Sequence, residues 1–98
     1  MGLTIVEKIL ARHAGRETVQ AGEVVVAEVD YAMVTDTRAV NTIKLINSFG
    51  DQPLKFANKT SLVLDHYSPP PNQEAADIHS SMRAFATKRG TGLYDIGD

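Results

Sequence analysis

The chain has 98 residues, a net charge of −2, 43% hydrophobic and 22% charged residues, and no cysteine. That length supports one small unit around a single core, and the composition is that of a folded chain rather than a disordered one. It excludes disulfides, thiolate chemistry and a cysteine-held metal cluster within the chain, shows no basic footprint for nucleic acid, and contains no apolar run long enough for a membrane span. The start, Met1-Gly2-Leu3-Thr4, lacks a basic region followed by a long apolar stretch, so no secretory signal is expected and the expected location is cytoplasmic. A myristoylation start is disfavoured by Val6, which stands where a hydroxyl residue is usual.

Thr4-Ile5-Val6-Glu7 is a capping-box pattern, and Ile5, Val6, Ile9 and Leu10 follow at near-helical spacing, so a helix is predicted over residues 5–13 with Gly15 as its stop. Residues 23–30 alternate and are dense in valine, which predicts a strand; residues 31–34 either extend it or begin a loop. Asp36 or Thr37 is expected to cap a second helix carrying Ala39, Ile43 and Ile46 and ending near Phe49-Gly50. Residues 54–60 are ambiguous. A strand is predicted over 61–65, and a third helix runs from the cap Asn72 to Arg89, closed by Gly90. Its buried stripe is Ala75, Ile78, Met82, Phe85 and Ala86. Residues 93–96 form a short last strand. Strands alternating with helices imply a three-layer α/β unit, one domain over residues 1–98, with a mainly parallel sheet of three or four strands flanked by helices. A parallel sheet buries both faces, and no element follows the last strand to cover it, so the unit is expected to be a piece of something larger.

The segment Leu62-Val63-Leu64-Asp65-His66 ends an apolar strand in a carboxylate and an imidazole, just before Tyr67-Ser68-Pro69-Pro70-Pro71-Asn72. Open α/β sheets present their chemistry at such carboxyl ends. Asp65 beside His66 is a proton-handling pair, because a carboxylate orients the ring and raises its basicity. Taken alone, the same strand end also has a structural reading, a polar terminus bonded to nearby backbone. His13 is expected to interact with carbonyls at its helix end. His79, one position past the stripe residue Ile78, is expected to face solvent. Zinc ligation by Asp65, His66 and His79 matches no tight ligand spacing, and no metal site is expected. Asp95 and Asp98 are expected to be loop caps rather than a carboxylate dyad with Asp65. The three prolines are read as a stiff turn rather than as a polyproline ligand.

The opening residues 2–11 with His13-Ala14-Gly15, the strand tip ending in Asp65-His66, the turn ending in Pro71-Asn72, and Tyr94-Asp95-Ile96-Gly97-Asp98 occur in that order. This resembles the N-terminal part of the large subunits of 3-isopropylmalate dehydratase and homoaconitase, in the aconitase superfamily. The resemblance implies a hydro-lyase that dehydrates and rehydrates a hydroxy acid around a 4Fe–4S cluster in the full-length parent, with no cluster in these 98 residues. It places Asp65 and His66 on the catalytic Asp-His pair, His66 donating the proton of the leaving water and Asp65 supporting its charged form. The aconitases carry a substrate-contacting glutamine near the position of Val40, so no substrate role passes to Val40. Relatives continue past the last motif to a catalytic histidine and three cluster cysteines.

The implied partners are the remainder of the large subunit, a small subunit and the hydroxy-acid substrate. Leucine biosynthesis is the implied pathway, or a lysine-type one for homoaconitase. Two other readings stand beside this: a stand-alone, non-catalytic module that self-associates, and a strand tip that binds an anion or metal without turnover. The isolated chain is expected to be inactive and to form homo-oligomers that bury its open sheet edge and face.

Overall fold

The computed structural model describes residues 2–98, which divide into two compact units on either side of the Asp30–Tyr31 junction.

In the first unit, α1 spans Ile5–His13. The capping box forms as the sequence predicts: Glu7 N–H donates to Thr4 Oγ1 at 3.1 Å, and Thr4 N–H donates to Glu7 Oε1 at 3.0 Å. The helix closes in a Schellman turn. Arg16 N–H donates to the Ala11 carbonyl at 2.9 Å, across a residue that must be left-handed, and Gly15 supplies that at φ 67°. The strand expected over 23–30 is absent, and Val24 and Val26 are almost fully exposed. Valine-rich alternation expresses fit to a half-buried pleated surface and produces a strand only beside a partner. The backbone bonds described here are instead a turn, Glu23 N–H to Gln20, and a tie from Glu28 N–H to the His13 carbonyl.

His13 lies at the helix end, as expected, with Nδ1 2.9 Å from the Ile9 carbonyl and Nε2 2.6 Å from Asp30 Oδ2. Both partners only accept, so the arrangement favours the doubly protonated ring. The bond to Asp30, then the one to Ile9, raises the His13 pKa above the ordinary 6.5. A raised folded-state pKa adds stability that is fully present below 6.5 and is lost as pH rises through the folded value. An NMR titration of the His13 ring should therefore give a midpoint above 6.5, and Asp30→Asn should lower it. An unshifted midpoint in the unmodified chain would contradict the arrangement.

The second unit runs β1 (Ala32–Thr35), α2 (Asp36–Ser48), a 3₁₀ turn at Ala57–Lys59, β2 (Thr60–Val63), α3 (Gln73–Arg89) and β3 (Gly92–Tyr94). The three strands are parallel in the order β1-β2-β3, which confirms the α/β class with a parallel sheet and helices. Both crossovers step the same way across the sheet, and the right-handed rule then places α2 and α3 on one face. Val34, Leu62 and Leu93 are register partners. With Leu64 they meet Ala39 and Ile43 of α2 and Ile78, Met82, Phe85 and Ala86 of α3 to form the core. The other face carries Met33, Ser61 and Gly92 in one register row. A Cβ on Gly92 would lie 2.6 Å from Ser61 Oγ, which is itself bonded to the Tyr31 hydroxyl, so a side chain at position 92 would have to displace the Ser61 hydroxyl.

α3 begins at the predicted cap, with Asn72 Oδ1 accepting from Ala75 N–H at 2.9 Å, and ends at Gly90 with φ 75°. Arg89 anchors its far end by donating to the carbonyls of Gln52 and Gly50 and to Asn47 Oδ1. Two expectations are corrected here. His79 is not solvent-facing but 1% exposed, because the buried face runs Ala75, His79, Met82, Ala86, Arg89 at steps of four and three. Asp36 does not cap α2. Thr35 takes the cap position without a side-chain bond, and Asp36 is the first helical residue, fully buried.

Candidate functional site

In a parallel sheet all carboxyl ends share one edge, so the residues after β1 and after β2 become neighbours although they are far apart in sequence. Here those residues are Asp36, which follows β1, and Asp65-His66-Tyr67, which follow β2. The Asp65-His66 pair stands at the tip as a contact: His66 Nδ1 lies 2.6 Å from Asp65 Oδ1, and both side chains are more than half exposed. A carboxylate accepts only, so Nδ1 carries the proton in that bond, and the pairing leaves Nε2 as the nitrogen for proton exchange. The turn behind them is fixed by Ser68 Oγ donating to the Leu64 carbonyl at 2.6 Å.

Beneath the pair lies Asp36. Its Oδ1 accepts the His66 backbone N–H at 3.2 Å, and its Oδ2 accepts the Tyr67 N–H at 2.9 Å and His79 Nε2–H at 3.0 Å. Burial pushes the Asp36 carboxyl up, but the bond from His79 and those from the Tyr67 and His66 amides outweigh it, and the net direction is down. The position at the start of α2 favours the same charge. Asp36 is thus a buried carboxylate whose charge is balanced by N–H donors. Sequence reasoning missed it as a site residue. The signal was its place immediately after a strand whose parallel neighbour ends in Asp65-His66.

The zinc combination considered from the sequence does not assemble, since His79 turns its Nε2 to Asp36. The groups that converge are Asp36, Asp65 and His66, each with one ligand atom within 4.8 Å of the others. Asp36 already accepts three hydrogen bonds, one on Oδ1 and two on Oδ2. Asp95 and Asp98 cap the loop after β3. Asp95 Oδ1 accepts from Ile96 N–H, and Asp98 Oδ2 accepts from Asp95 N–H. Arg83 clasps Asp95 with two bonds of 2.6 and 2.9 Å and, with the Ile96 amide, lowers its pKa to about 2. Val40 borders a shallow apolar groove between α2 and α3 with Ile43, Ile78 and Ser81.

No protein-family model matches the chain. Curated relatives do. It is 42% identical over 97 residues to the 3-isopropylmalate dehydratase large subunit of Sulfurihydrogenibium sp. (strain YO3AOP1), covering 99% of this chain and 22% of that protein. It is 39% identical to 3-isopropylmalate dehydratase large subunit 1 of Thermotoga maritima, over all of this chain and 23% of the relative. The homoaconitase large subunit of Thermus thermophilus is 37% identical over 99% of this chain and 23% of its own length. The chain therefore spans less than a quarter of the curated relatives it matches, and the resemblance read from its motifs holds along nearly all of it.

Proposed function

We propose that this chain, similar over nearly its whole length to a segment of the large subunits of 3-isopropylmalate dehydratase and homoaconitase, contributes the proton-transfer pair of a hydro-lyase acting on a hydroxy acid. The observation that carries the reading is the 2.6 Å Asp65-His66 bond at the carboxyl edge of the sheet. Removing water from a hydroxy acid breaks a C–O bond, and hydroxide is a poor leaving group until it is protonated. His66, held through Nδ1 by Asp65, gives its Nε2 proton to the departing oxygen, which leaves as water with the C–O electron pair, while the C–H proton of the neighbouring carbon goes to a base outside these residues and the C–H electron pair forms the double bond. In the reverse direction the same nitrogen takes the proton from the water that adds. Asp65 accepts from Nδ1 and supports the charged form of the ring.

The family's 4Fe–4S cluster does not fit the residues present. The chain has no cysteine, and the groups at its strand edge are oxygen and nitrogen donors. Any cluster is held by residues other than these. The reading extends to a small-subunit partner, a cytoplasmic setting and a place in leucine biosynthesis, with homoaconitate chemistry the alternative. Among the described residues no helix is long and apolar enough to cross a membrane.

The experiment is a chimera in which these 98 residues replace the matching segment of the Thermotoga maritima large subunit, assayed with its small subunit on 3-isopropylmalate and on homoaconitate. Turnover of either is expected. A folded chimera that turns over neither would sink the proposal. The isolated chain, lacking any thiolate, is expected to show no turnover after anaerobic treatment with iron and sulfide.

A further inference from the structure

We infer that Asp36 is the positioning residue that holds His66 in place for proton transfer, and that His79 serves to hold Asp36. This rests on the proton-transfer reading above, and it assigns the fixed anion of the site to a residue that does not touch the exchangeable nitrogen. Asp65, the evident partner, has a side chain 60% exposed to solvent. It can turn to water, and a surface pair of this kind does not fix a ring by itself. Asp36 has no such freedom at 0% exposure. Its two oxygens take three N–H donors: the His66 and Tyr67 amides and His79 Nε2. Oδ1 also lies 3.7 Å from His66 Nδ1, so Nδ1 faces one exposed and one buried carboxylate. Both favour a proton on Nδ1, which leaves Nε2 as the nitrogen for exchange.

The chemistry of the position calls for a carboxylate. An amide has one acceptor oxygen and would point its NH₂ group at a second set of N–H donors. Three elements thus converge on Asp36: the end of β1 that carries it, the turn after β2 that it grips, and α3, which reaches it through His79. His79 is buried, and its Nδ1 has no hydrogen-bond partner among the described residues. A buried nitrogen left unpaired is a cost that needs a reason. The bond from Nε2–H to Asp36 supplies one, and it turns that nitrogen toward the carboxylate.

The test follows the His66 ring by ¹H–¹⁵N correlation in the labelled 98-residue chain. Four proteins are compared: unmodified, Asp36→Asn, His79→Leu, and His79→Gln, whose amide retains a donor near the Nε2 position. The unmodified chain should show the neutral His66 ring protonated on Nδ1. Asp36→Asn and His79→Leu should move it toward protonation on Nε2, while His79→Gln should keep the original pattern. A folded Asp36→Asn chain with the original His66 pattern would overturn the inference. If Asp36→Asn does not fold, the His79 pair decides: His66 unchanged in His79→Leu overturns it, and a change in His79→Leu reversed in His79→Gln supports it. In the chimera, Asp36→Asn should lower kcat by roughly 10- to 100-fold with KM nearly unchanged, the mark of a misplaced group rather than lost binding. An inactive unmodified chimera would defeat the functional reading and leave the ring measurement to stand or fall alone.

Discussion

Replacing His66 by alanine in the turnover-competent chimera is expected to lower kcat by about 10²–10⁴-fold, the range for loss of a positioned general acid. On the proposed reading the change deletes the group that carries the proton, and no neighbour replaces it. Asp65 faces Nδ1 rather than the exchange side, and both oxygens of Asp36 are engaged by N–H donors. Asp65→Asn should cost less, because the amide oxygen still accepts from Nδ1–H while the compensating charge is lost. The two variants are read by kcat and KM with the same small subunit. His66→Ala at the unmodified rate would remove the pair from the mechanism, and Asp65→Asn falling below His66→Ala would reverse the roles assigned to them.

Leu62→Ala is expected to cost about 2–5 kcal/mol, the usual range for removing a buried leucine side chain from a core. Leu62 is 1% exposed on the central strand, between Val34 of β1 and Leu93 of β3, with both helices packed above it. A unit the size of residues 31–98 has only about 3–10 kcal/mol of stability in total. The variant should therefore be partly unfolded in dilute buffer or show a steep fall in its urea midpoint. Leu45→Ala, at a position 61% exposed on α2, is the control and should stay within about 0.5 kcal/mol of the unmodified chain. Equal midpoints for the two variants would show that the core has been misplaced.

What could be read from the sequence was whatever is set within one or two turns of chain. The Thr4–Glu7 box, the Asn72 cap, the Gly90 stop and the apolar strand ahead of Asp65 each carry their physics in adjacent residues. Residues 23–30 misled because alternation states what a strand needs but not whether a partner is present. His79 misled for the complementary reason. Whether a polar side chain can be buried depends on its partner, and Asp36 lies 43 residues away. Asp36 itself looked like a helix cap because acids near a helix start usually are. Only the parallel pairing of β1 with β2 turns it toward another strand's tip. The Asp65-His66 pair was legible because its two members are adjacent, whereas the support beneath it is wholly non-local.

The grip of Asp36 on the turn after β2 also bears on amide exchange. Loop-tip amides ordinarily exchange with solvent through small local openings, at rates that say little about the rest of a protein. The His66 and Tyr67 amides donate to a carboxylate closed off from water, 30 and 31 residues earlier in the chain. They are freed when that carboxylate is exposed, which requires the end of β1 and the start of α2 to come away from the turn. Their protection therefore reports the opening of the sheet edge rather than fraying of the loop, so the Asp65-His66 pair keeps its geometry only as long as the two strands stay joined.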